Sequence, residues 1–228
     1  MSARRLVYLP LCLLMLAFAS GAQAQLPSRA EIVYEVTRNG SAMAEITALL
    51  EQADGRYKLV EKWQGHGLYA LLGKATRTSI GSLGANGVRP AEFSDERSGR
   101  DTARAWLDWA KGTMTFRYKG RSRSEPIPPN AQDRISFMLA LAVAPPGAKT
   151  GDYHLVDGKG VSHHIYQFLG RERVQTPAGT FDAVKVVRGT EDDRNEFWFA
   201  TALGGLPVRM LAIEKGNRWD QVATRIER

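Results

Sequence analysis

The sequence predicts a mainly β fold, in which a single curved antiparallel sheet or half-open barrel of about ten strands packs against one apolar helix. Three observations support this prediction. Turn residues recur roughly every 8 to 15 positions, as they do in a meandering antiparallel sheet. Apolar and polar side chains alternate over residues 113–119, which is typical of a half-buried strand. Residues 130–143 are instead largely apolar on every side, which indicates a buried helix.

The predicted strands are separated by short turns rich in glycine. The pair Asn39-Gly40 tolerates the positive φ angles of a tight hairpin, so it is expected to join the first two strands. Asp54-Gly55, Lys111-Gly112 and residues 158–160 indicate further tight turns. The strands predicted between the turns cover residues 30–37, 42–50, 57–64, 102–110, 113–119, 153–156, 162–169, 181–188, 196–200, 207–214 and 219–226.

The predicted helix at 130–143 is the one exception to this β pattern. Asn130 or Asp133 is expected to cap its start, because their side-chain oxygens accept hydrogen bonds from the first free amides of a helix. Pro145 and Pro146 end it, since proline cannot continue the hydrogen-bond ladder. The helix is therefore expected to lie buried against the concave face of the sheet.

The amino terminus has the features of a cleavable secretory signal peptide. Two arginines precede an apolar run at 6–19, and small residues ending at Ala24 follow in the pattern that signal peptidase recognises. The run is shorter than the roughly 20 apolar residues of a membrane span. The sequence therefore predicts a signal peptide at 1–24, one β-rich domain at 25–228, and a periplasmic location with no membrane span after cleavage.

The composition excludes several classes of protein. The one cysteine, Cys12, lies in the predicted signal peptide, so disulfides, thiolate metal sites and thiol nucleophiles are not expected in residues 25–228. The formal net charge of the whole chain is +7, and loss of the two arginines of the signal peptide lowers it to +5. This charge is evenly spread, so nucleic acid is not an expected partner, whereas an anionic cell envelope suits it.

Familiar catalytic and cofactor motifs do not occur in the sequence. There is no G-x-S-x-G nucleophile motif, and Gly81, Gly84 and Gly87 match neither dinucleotide-binding nor phosphate-loop spacing. The acidic run at 191–193 lacks the spaced oxygen ligands of a calcium loop. We therefore predict no cofactor, no metal and no catalytic residue, and we favour a non-enzymatic protein over an enzyme.

Five short segments together resemble one bacterial family. The segments are 31–36 (EIVYEV), 87–93 (GVRPAEF), 133–136 (DRIS), 176–181 (TPAGTF) and 206–209 (LPVR). Their order and spacing resemble the exported bacterial domain-of-unknown-function family numbered 3108, over nearly all of residues 25–228. This resemblance implies an exported, mostly β domain of undefined activity. A curved sheet around an apolar helix is also similar in architecture to the lipoprotein-localisation carriers of the envelope, which hold acyl chains.

Two sets of side chains are candidates for ligand contact. An apolar set is expected to line a cavity between the sheet and the helix: Trp63, Leu68, Tyr69, Trp106, Trp109, Phe137, Met138 and Leu141. A basic set recurs at alternate positions and forms one row on an extended chain, suited to anionic head groups: Arg117, Lys119, Arg121 and Arg123. An ordinary core and a solvated hairpin are the simpler interpretations of the two sets.

The preferred hypothesis from these sets is a non-enzymatic periplasmic protein. It binds an apolar or amphipathic envelope ligand, such as a lipid or a lipoprotein, in the concave face of the sheet. A structural partner of another envelope protein is a further hypothesis. The oligomeric state is not predicted.

The alternative hypothesis is an envelope hydrolase or a metal-dependent enzyme built on histidines. His163 and His164 are adjacent, so on a strand their rings point to opposite faces of the sheet. His154 lies on the strand predicted to pair with them, where it can meet one of the two across the hairpin. This hypothesis uses His154 with His163 or His164, whereas ordinary surface histidines are the simpler interpretation.

Overall fold

The computed structural model describes residues 26–145 and 147–228, so the predicted signal peptide at 1–24 lies outside the described residues. The strands are β1 Arg29–Arg38, β2 Ser41–Ala53, β3 Arg56–Gly65, β4 Lys74–Gly84, β5 Gly87–Arg97, β6 Ala103–Asp108, β7 Thr113–Tyr118, β8 Arg121–Pro126, β9 Ala131–Asp133, β10 Thr150–Val156, β11 Val161–Thr176, β12 Gly179–Gly189, β13 Asp193–Ala200, β14 Leu206–Glu214 and β15 Asn217–Glu227. The helices in the described part are α1 Ser136–Ala142 and two 3₁₀ helices, Gly67–Leu72 and Thr201–Leu203.

All of these strands belong to one open sheet. Its order is β8-β7-β6-β5-β4-β3-β2-β1-β15-β14-β13-β12-β11-β10-β9. Neighbours are antiparallel except β9 and β10, which are parallel. The chain runs outward from β1 to the edge strand β8, crosses to the opposite edge at β9, and returns until β15 pairs with β1. The predicted mainly β architecture with a single sheet is confirmed.

The number of strands is a correction to the prediction, since the sheet has 15 strands rather than about ten. The strands that the turn pattern missed are β4, β5, β8 and β9. In β4 (KATRTSIGSLG) threonine, serine, glycine and charged residues hide the apolar alternation that marks a strand. β8 has no buried residue, and β9 is only three residues long.

The sheet curls until strands from its two halves touch. Gln132 of β9 donates a side-chain hydrogen bond of 2.7 Å to the carbonyl of Val88 at the start of β5. In the turn that follows the same end of β10, Arg123 of β8 donates to the carbonyl of Lys159 at 3.2 Å. These contacts join elements far apart in the strand order, so the open sheet encloses an interior.

Two hairpin turns follow directly from the sequence. Asn39 and Gly40 have φ angles of 50° and 83°, and Asp54 and Gly55 have φ angles of 50° and 70°. Positive φ at both central positions gives the hairpin twist that suits adjoining antiparallel strands. The predicted hairpins β1–β2 and β2–β3 are therefore confirmed.

The helix is shorter than predicted. Residues 131–133, expected to be helical, form β9 instead, and α1 begins only at Ser136. Asp133 accepts hydrogen bonds from the amides of Ile135 and Ser136 at 2.9 and 2.8 Å, so it satisfies the helix start from the end of a strand. The predicted burial of the helix is confirmed, because all of α1 except its last residue is buried.

The interior beneath α1 is filled by side chains. Phe137 of α1 stacks on Tyr166 with ring centroids 5.5 Å apart and meets Phe197 edge-on at 5.7 Å. A cavity of only about 30 Å³ remains between Met138 and Leu139 of the helix and the facing strands. This cavity has room for only one or two water molecules. An acyl chain therefore does not fit into it.

Candidate ligand-binding groove

The strand register arranges the concave face of β2–β5 in three rows of side chains, because paired residues in antiparallel strands stand side by side. The outer row, nearest the ends of β3 and β5, is Ile46, Trp63, Ala75 and Arg97. The charged row is Ala48, Glu61, Arg77 and Asp95. The inner row, which is buried, is Leu50, Leu59, Ser79 and Phe93. Charged side chains therefore border the buried core directly.

In the charged row, Arg77 lies between two buried carboxylates. Its Nη1 atom is 3.6 Å from Oε2 of Glu61, and its Nε atom is 3.7 Å from Oδ2 of Asp95. These are ion-pair distances that exceed ordinary hydrogen bonds. The Nε atom is buried and has no hydrogen-bond partner within residues 26–145 and 147–228. Arg97, in contrast, donates to Asp95 at 2.8 to 3.2 Å. Arg77 therefore keeps a donor free for another acceptor.

The two carboxylates of the charged row have opposite pKa shifts. Burial raises the pKa of Glu61, against the opposing charge of Arg77. Burial acts in the same direction on Asp95, but the hydrogen bonds from Arg97 and the charge of Arg77 hold the pKa of Asp95 below its ordinary value. Arg134, which precedes α1, lowers both. Asp95 is therefore ionised, and protonation of Glu61 makes this region more positive.

A groove of about 730 Å³ opens over the outer and charged rows. The basic side chains in its lining are Lys74, Arg77, Arg97, Arg100 and Arg134. Its acidic side chains are Glu61 and Glu214, and Ile46, Trp63 and Trp219 add apolar surface. The groove thus combines a net positive charge with tryptophan walls, a combination that suits an anion carrying an apolar group.

A second set of polar side chains, which we call the polar cluster, lies one row deeper and is fully buried. It consists of Tyr57, Ser79, Gln132, Asp133 and Ser136. Ser79 donates to Oδ2 of Asp133 at 2.5 Å and is 3.0 Å from the hydroxyl of Tyr57. Ser136 donates to Gln132 at 2.9 Å. Burial raises the pKa of Asp133 to about 6, against these hydrogen bonds. The polar cluster ties β9 and α1 to β3 and β4.

The apolar set predicted to line one cavity is divided among several places. The helix residues Phe137, Met138 and Leu141 are buried in the core. The cavity between α1 and the facing strands has a volume of about 30 Å³ in the described residues. These three side chains are therefore core residues in this structure, and their contact with a ligand stays a prediction.

The remaining members of the apolar set lie far from one another. Trp63 lines the groove, and Trp109 lines a separate cleft of about 300 Å³. Tyr69 packs against the core from the first 3₁₀ helix, whereas Leu68 on the same helix is 84% exposed. Trp106 lies on the outer face of β6, because its neighbours in the alternating pattern point inward. Only Trp63 therefore contributes to the groove.

The basic row has a different geometry from the predicted one. The chain does not stay extended, because Lys119 has a φ angle of 51° and turns β7 back into β8. Arg123 stands beside Phe116 on the inner face, with its guanidinium 5.0 Å from the ring centroid. Arg121 shares that face and Arg117 lies on the other. The single row is therefore wrong, and anion binding by these four side chains stays a prediction.

The histidines meet as the hairpin register predicted. His154 and His163 pair across β10 and β11, with ring centroids 4.7 Å apart. His163 contacts Asp152 at 2.7 Å, and His164 lies on the opposite face, where burial lowers its pKa. Across the described ranges no group of three or more His, Cys, Asp or Glu side chains could hold a metal. A hydrolytic or metal-dependent role of these histidines stays a prediction.

Sequence reasoning missed the basic lining of the groove. Arg77, Arg134 and the neighbouring pair Arg97 and Arg100 come from three separate parts of the chain, and each arginine alone is typical of a solvated surface. The sequence of β4 contains a usable signal. Ala75, Arg77 and Ser79 occupy every second position, so they lie on the same face, and this face turns inward. Recognising it requires β4 to be identified as a strand first.

The fold defines the chain as a β-barrel-like protein with an open sheet. A solved structure of similar fold is the β-barrel-like protein of domain of unknown function DUF1849 from Brucella abortus, with 11% identity, coverage of 89% of this chain and 98% of that chain, and a TM-score of 0.62. A candidate lipoprotein from Parabacteroides distasonis ATCC 8503 has 11% identity, coverage of 89% and 97%, and a TM-score of 0.39. A candidate exported protein with a YmcC-like fold from Bacteroides fragilis NCTC 9343 has 13% identity, coverage of 89% and 97%, and a TM-score of 0.38. At such identities the likeness concerns the fold alone.

The chain belongs to the family of proteins of unknown function DUF3108, whose sequence profile matches residues 31–217. The resemblance to this family, predicted from five short segments, is therefore confirmed. None of the curated proteins matches the chain. Within the residues that the structure describes, no helix is long and apolar enough to cross a membrane.

Proposed function

We propose that this chain is a non-enzymatic binding protein of the cell envelope, which takes an amphipathic ligand with an anionic group in the groove. The observation that carries the proposal is Arg77, whose buried Nε atom has no hydrogen-bond partner in the described residues and whose side chain is 30% exposed in the groove. A buried donor left without an acceptor costs about 1–3 kcal/mol. A phosphate or carboxylate oxygen supplies the acceptor and matches the geometry of a guanidinium.

The apolar part of the ligand rests on the tryptophans of the groove. Trp63 and Trp219 are half-buried, and Ile46 lies beside Trp63 in the outer row. The groove volume of about 730 Å³ lies within the range of about 300–1,000 Å³ that small-molecule sites occupy. The cavity of about 30 Å³ beneath α1 is far smaller than this range. The ligand is therefore placed over the outer and charged rows rather than under the helix.

The proposed location is the periplasm. It is supported by the predicted signal peptide at 1–24 and by the absence of cysteine from residues 25–228, which makes folding independent of disulfide formation. In the envelope, lipids and lipid-modified proteins supply ligands that combine an acyl chain with an anionic group. Such molecules form the proposed ligand class.

Titration of the protein with a monomeric lysophospholipid tests the proposal. Protein recovered from the periplasm of an expression host is titrated calorimetrically with lauroyl-lysophosphatidic acid, and separately with monolauroylglycerol, which has the same chain without the phosphate. We expect the phosphate-bearing probe to bind at least about tenfold more tightly, because charge-assisted hydrogen bonds contribute about 1.5–3 kcal/mol. Equal affinities for the two probes, or no binding of either, would overturn the proposal.

Matched variants locate the binding to the groove. Arg77→Gln is expected to weaken binding of lauroyl-lysophosphatidic acid about tenfold, whereas Arg171→Gln, an exposed arginine of β11, leaves it unchanged. Trp63→Leu is expected to weaken binding, whereas Trp106→Leu on the outer face of β6 does not. Circular dichroism of each variant shows whether the fold is intact. Loss of affinity in the control variants alone would place the ligand elsewhere.

A further inference from the structure

The first 3₁₀ helix, Gly67–Leu72, carries the two most exposed large apolar side chains of the described residues. Leu68 and Leu71 are each 84% exposed, compared with 51% for Ile165 and 56% for Leu169. Residues three apart in a 3₁₀ helix stand on the same side, so the two leucines form one apolar projection. We call this helix the leucine turn.

The leucine turn is held in place by its base. Tyr69 packs against the core and its amide donates to the carbonyl of His66 at 2.9 Å. His66 in turn donates its amide to the carbonyl of Met43 at 2.8 Å. Gly65 lies so close to the turn that an added Cβ would be 2.2 Å from the carbonyl oxygen of Tyr69. The exposure of the leucines is therefore part of a packed arrangement rather than of a chain end.

Cations flank the leucine turn on one side. Lys74 follows the turn directly, whereas the exposed Glu45 and Glu96 lie on the neighbouring strands β2 and β5. The amide of Ser98 donates to the carbonyl of Lys74 at 2.9 Å, which brings the loop after β5, with Arg97 and Arg100, beside the turn. Lys74 and Arg100 are both exposed.

The combination of exposed leucines and exposed cations matches one kind of partner. Apolar side chains gain free energy by entering the acyl boundary of a bilayer, and each cation close to an anionic membrane surface adds about 1 kcal/mol. The turn also adjoins the groove, because Gly73 and Lys74, which directly follow it, belong to the groove lining.

We propose that the leucine turn and its flanking cations dock this protein onto the surface of an anionic lipid bilayer, with the groove next to the membrane. Leu68 and Leu71 enter the acyl boundary, and Lys74 and Arg100 contact anionic head groups. The docking surface goes beyond the proposed ligand in the groove, since neither leucine lines the groove.

Vesicle flotation tests the docking surface. The protein is recovered from the periplasm, its intact mass is measured to show whether residues 1–24 have been removed, and it is mixed with vesicles of phosphatidylethanolamine and phosphatidylglycerol. We expect it to float with these vesicles at low salt, to bind less at high salt, and to bind vesicles of pure phosphatidylcholine weakly. Failure to bind the anionic vesicles would overturn the proposal, and equal binding to phosphatidylcholine would overturn its charged part.

A pair of double variants separates the leucine turn from general surface stickiness. The L68S/L71S variant is expected to lose about tenfold or more in vesicle affinity, because burial of one leucine is worth about 1.5–3 kcal/mol. The matched I165S/L169S variant removes two other exposed apolar side chains and is expected to bind as the wild type does. Unchanged binding of L68S/L71S, or an equal loss in I165S/L169S, would contradict the proposal.

A labelled variant provides a readout that does not depend on affinity. Cys12 is the only cysteine, so Leu71→Cys in the cleaved protein gives one site for an environment-sensitive dye. Its emission is expected to shift to the blue on anionic vesicles, whereas a dye on Leu169→Cys does not shift. No shift at position 71 in the bound state would refute insertion.

The two proposals fail in different ways. L68S/L71S is expected to keep its affinity for monomeric lauroyl-lysophosphatidic acid while it loses vesicle binding. Vesicle binding by a protein that does not bind this probe would uphold the docking surface and overturn the groove. Binding of the probe by a protein that does not float with vesicles would do the reverse.

Discussion

The charged row and the polar cluster are neighbours on the same strands, yet they differ in how their hydrogen bonds are satisfied. In the polar cluster, Asp133 accepts hydrogen bonds from Ser79 and from the amides of Ile135 and Ser136. In the charged row, only two residues along β4 from Ser79, Arg77 has a buried Nε atom without a hydrogen-bond partner in the described residues.

The difference separates a structural role from the binding role that we propose for the charged row. Buried polar groups that satisfy one another fix an arrangement, and the polar cluster fixes the crossing segment that carries β9 and α1. A buried donor without an acceptor costs free energy in the free protein, and a ligand oxygen that accepted its hydrogen bond would recover that free energy. We therefore expect a structural role where buried polar groups have all their hydrogen-bond partners, and a binding role where one group lacks a partner.

The largest expected effect on stability comes from breaking the polar cluster. Asp133→Ala leaves the amides of Ile135 and Ser136 and the hydroxyl of Ser79 without their acceptor, so the free energy of unfolding should fall by at least about 3 kcal/mol. Urea denaturation measures it. The control Asp182→Ala, an exposed aspartate, should change it by about 0.5 kcal/mol or less. A small effect of Asp133→Ala on the free energy of unfolding would contradict the structural role that we infer for the polar cluster.

The next effect is a pH dependence to which Asp133 of the polar cluster contributes. The pKa of Asp133 is about 6 in the folded protein and 3.8 without the fold, so the native state binds more protons between these values. The free energy of unfolding therefore falls as pH rises from about 4 to 6, by about 3 kcal/mol from this group. The buried Glu61 contributes in the same direction.

Asp133→Asn isolates this contribution. The amide does not titrate, so the difference in unfolding free energy between wild type and variant should change across pH 4 to 6 and stay constant above about pH 7. Asp95, Glu196 and Asp220 have lowered pKa values and are common to both proteins, so their opposite dependence cancels in the difference. A difference that does not vary with pH would show that folding does not raise the pKa of Asp133.

Local signals account for the part of the fold that the sequence could predict. The turns at Asn39-Gly40 and Asp54-Gly55 are recognisable because a two-residue hairpin depends on its own residues. The helix was predicted from its apolar run, but its first residues form β9, because tertiary pairing with β10 outweighs local preference. β4 was missed because its inward face carries Ala75, Arg77 and Ser79 rather than large apolar side chains.

The groove could not be predicted because it depends on register across strands. Glu61, Arg77 and Asp95 are 16 and 18 residues apart, and only the pairing of β3, β4 and β5 places them in one row. Trp63 was identified because a large aromatic side chain is conspicuous by itself. The arginines were not, because an isolated arginine is typical of any surface.

The smallest expected effect on stability comes from a substitution in the charged row, which is compared with the effect of Asp133→Ala in the polar cluster. Arg77→Gln should lower the free energy of unfolding by only about 1 kcal/mol. The reason is that Asp95 keeps its hydrogen bonds from Arg97, and Glu61, whose pKa burial already raises, can take up a proton. Urea denaturation of Arg77→Gln and Asp133→Ala near neutral pH measures the difference between their free energies of unfolding.

Ligand is expected to stabilise a variant of the polar cluster more than it stabilises a variant of the charged row. Lauroyl-lysophosphatidic acid at ten times its dissociation constant should stabilise the wild type by about 1.4 kcal/mol, and a conservative variant of the polar cluster, Asp133→Asn, by the same amount. The same concentration should stabilise Arg77→Gln far less, since its affinity is expected to be about tenfold weaker. If Arg77→Gln instead destabilises the fold as much as Asp133→Ala and responds equally to ligand, the charged row belongs with the polar cluster as a structural element, and the groove loses the observation on which its proposed function depends.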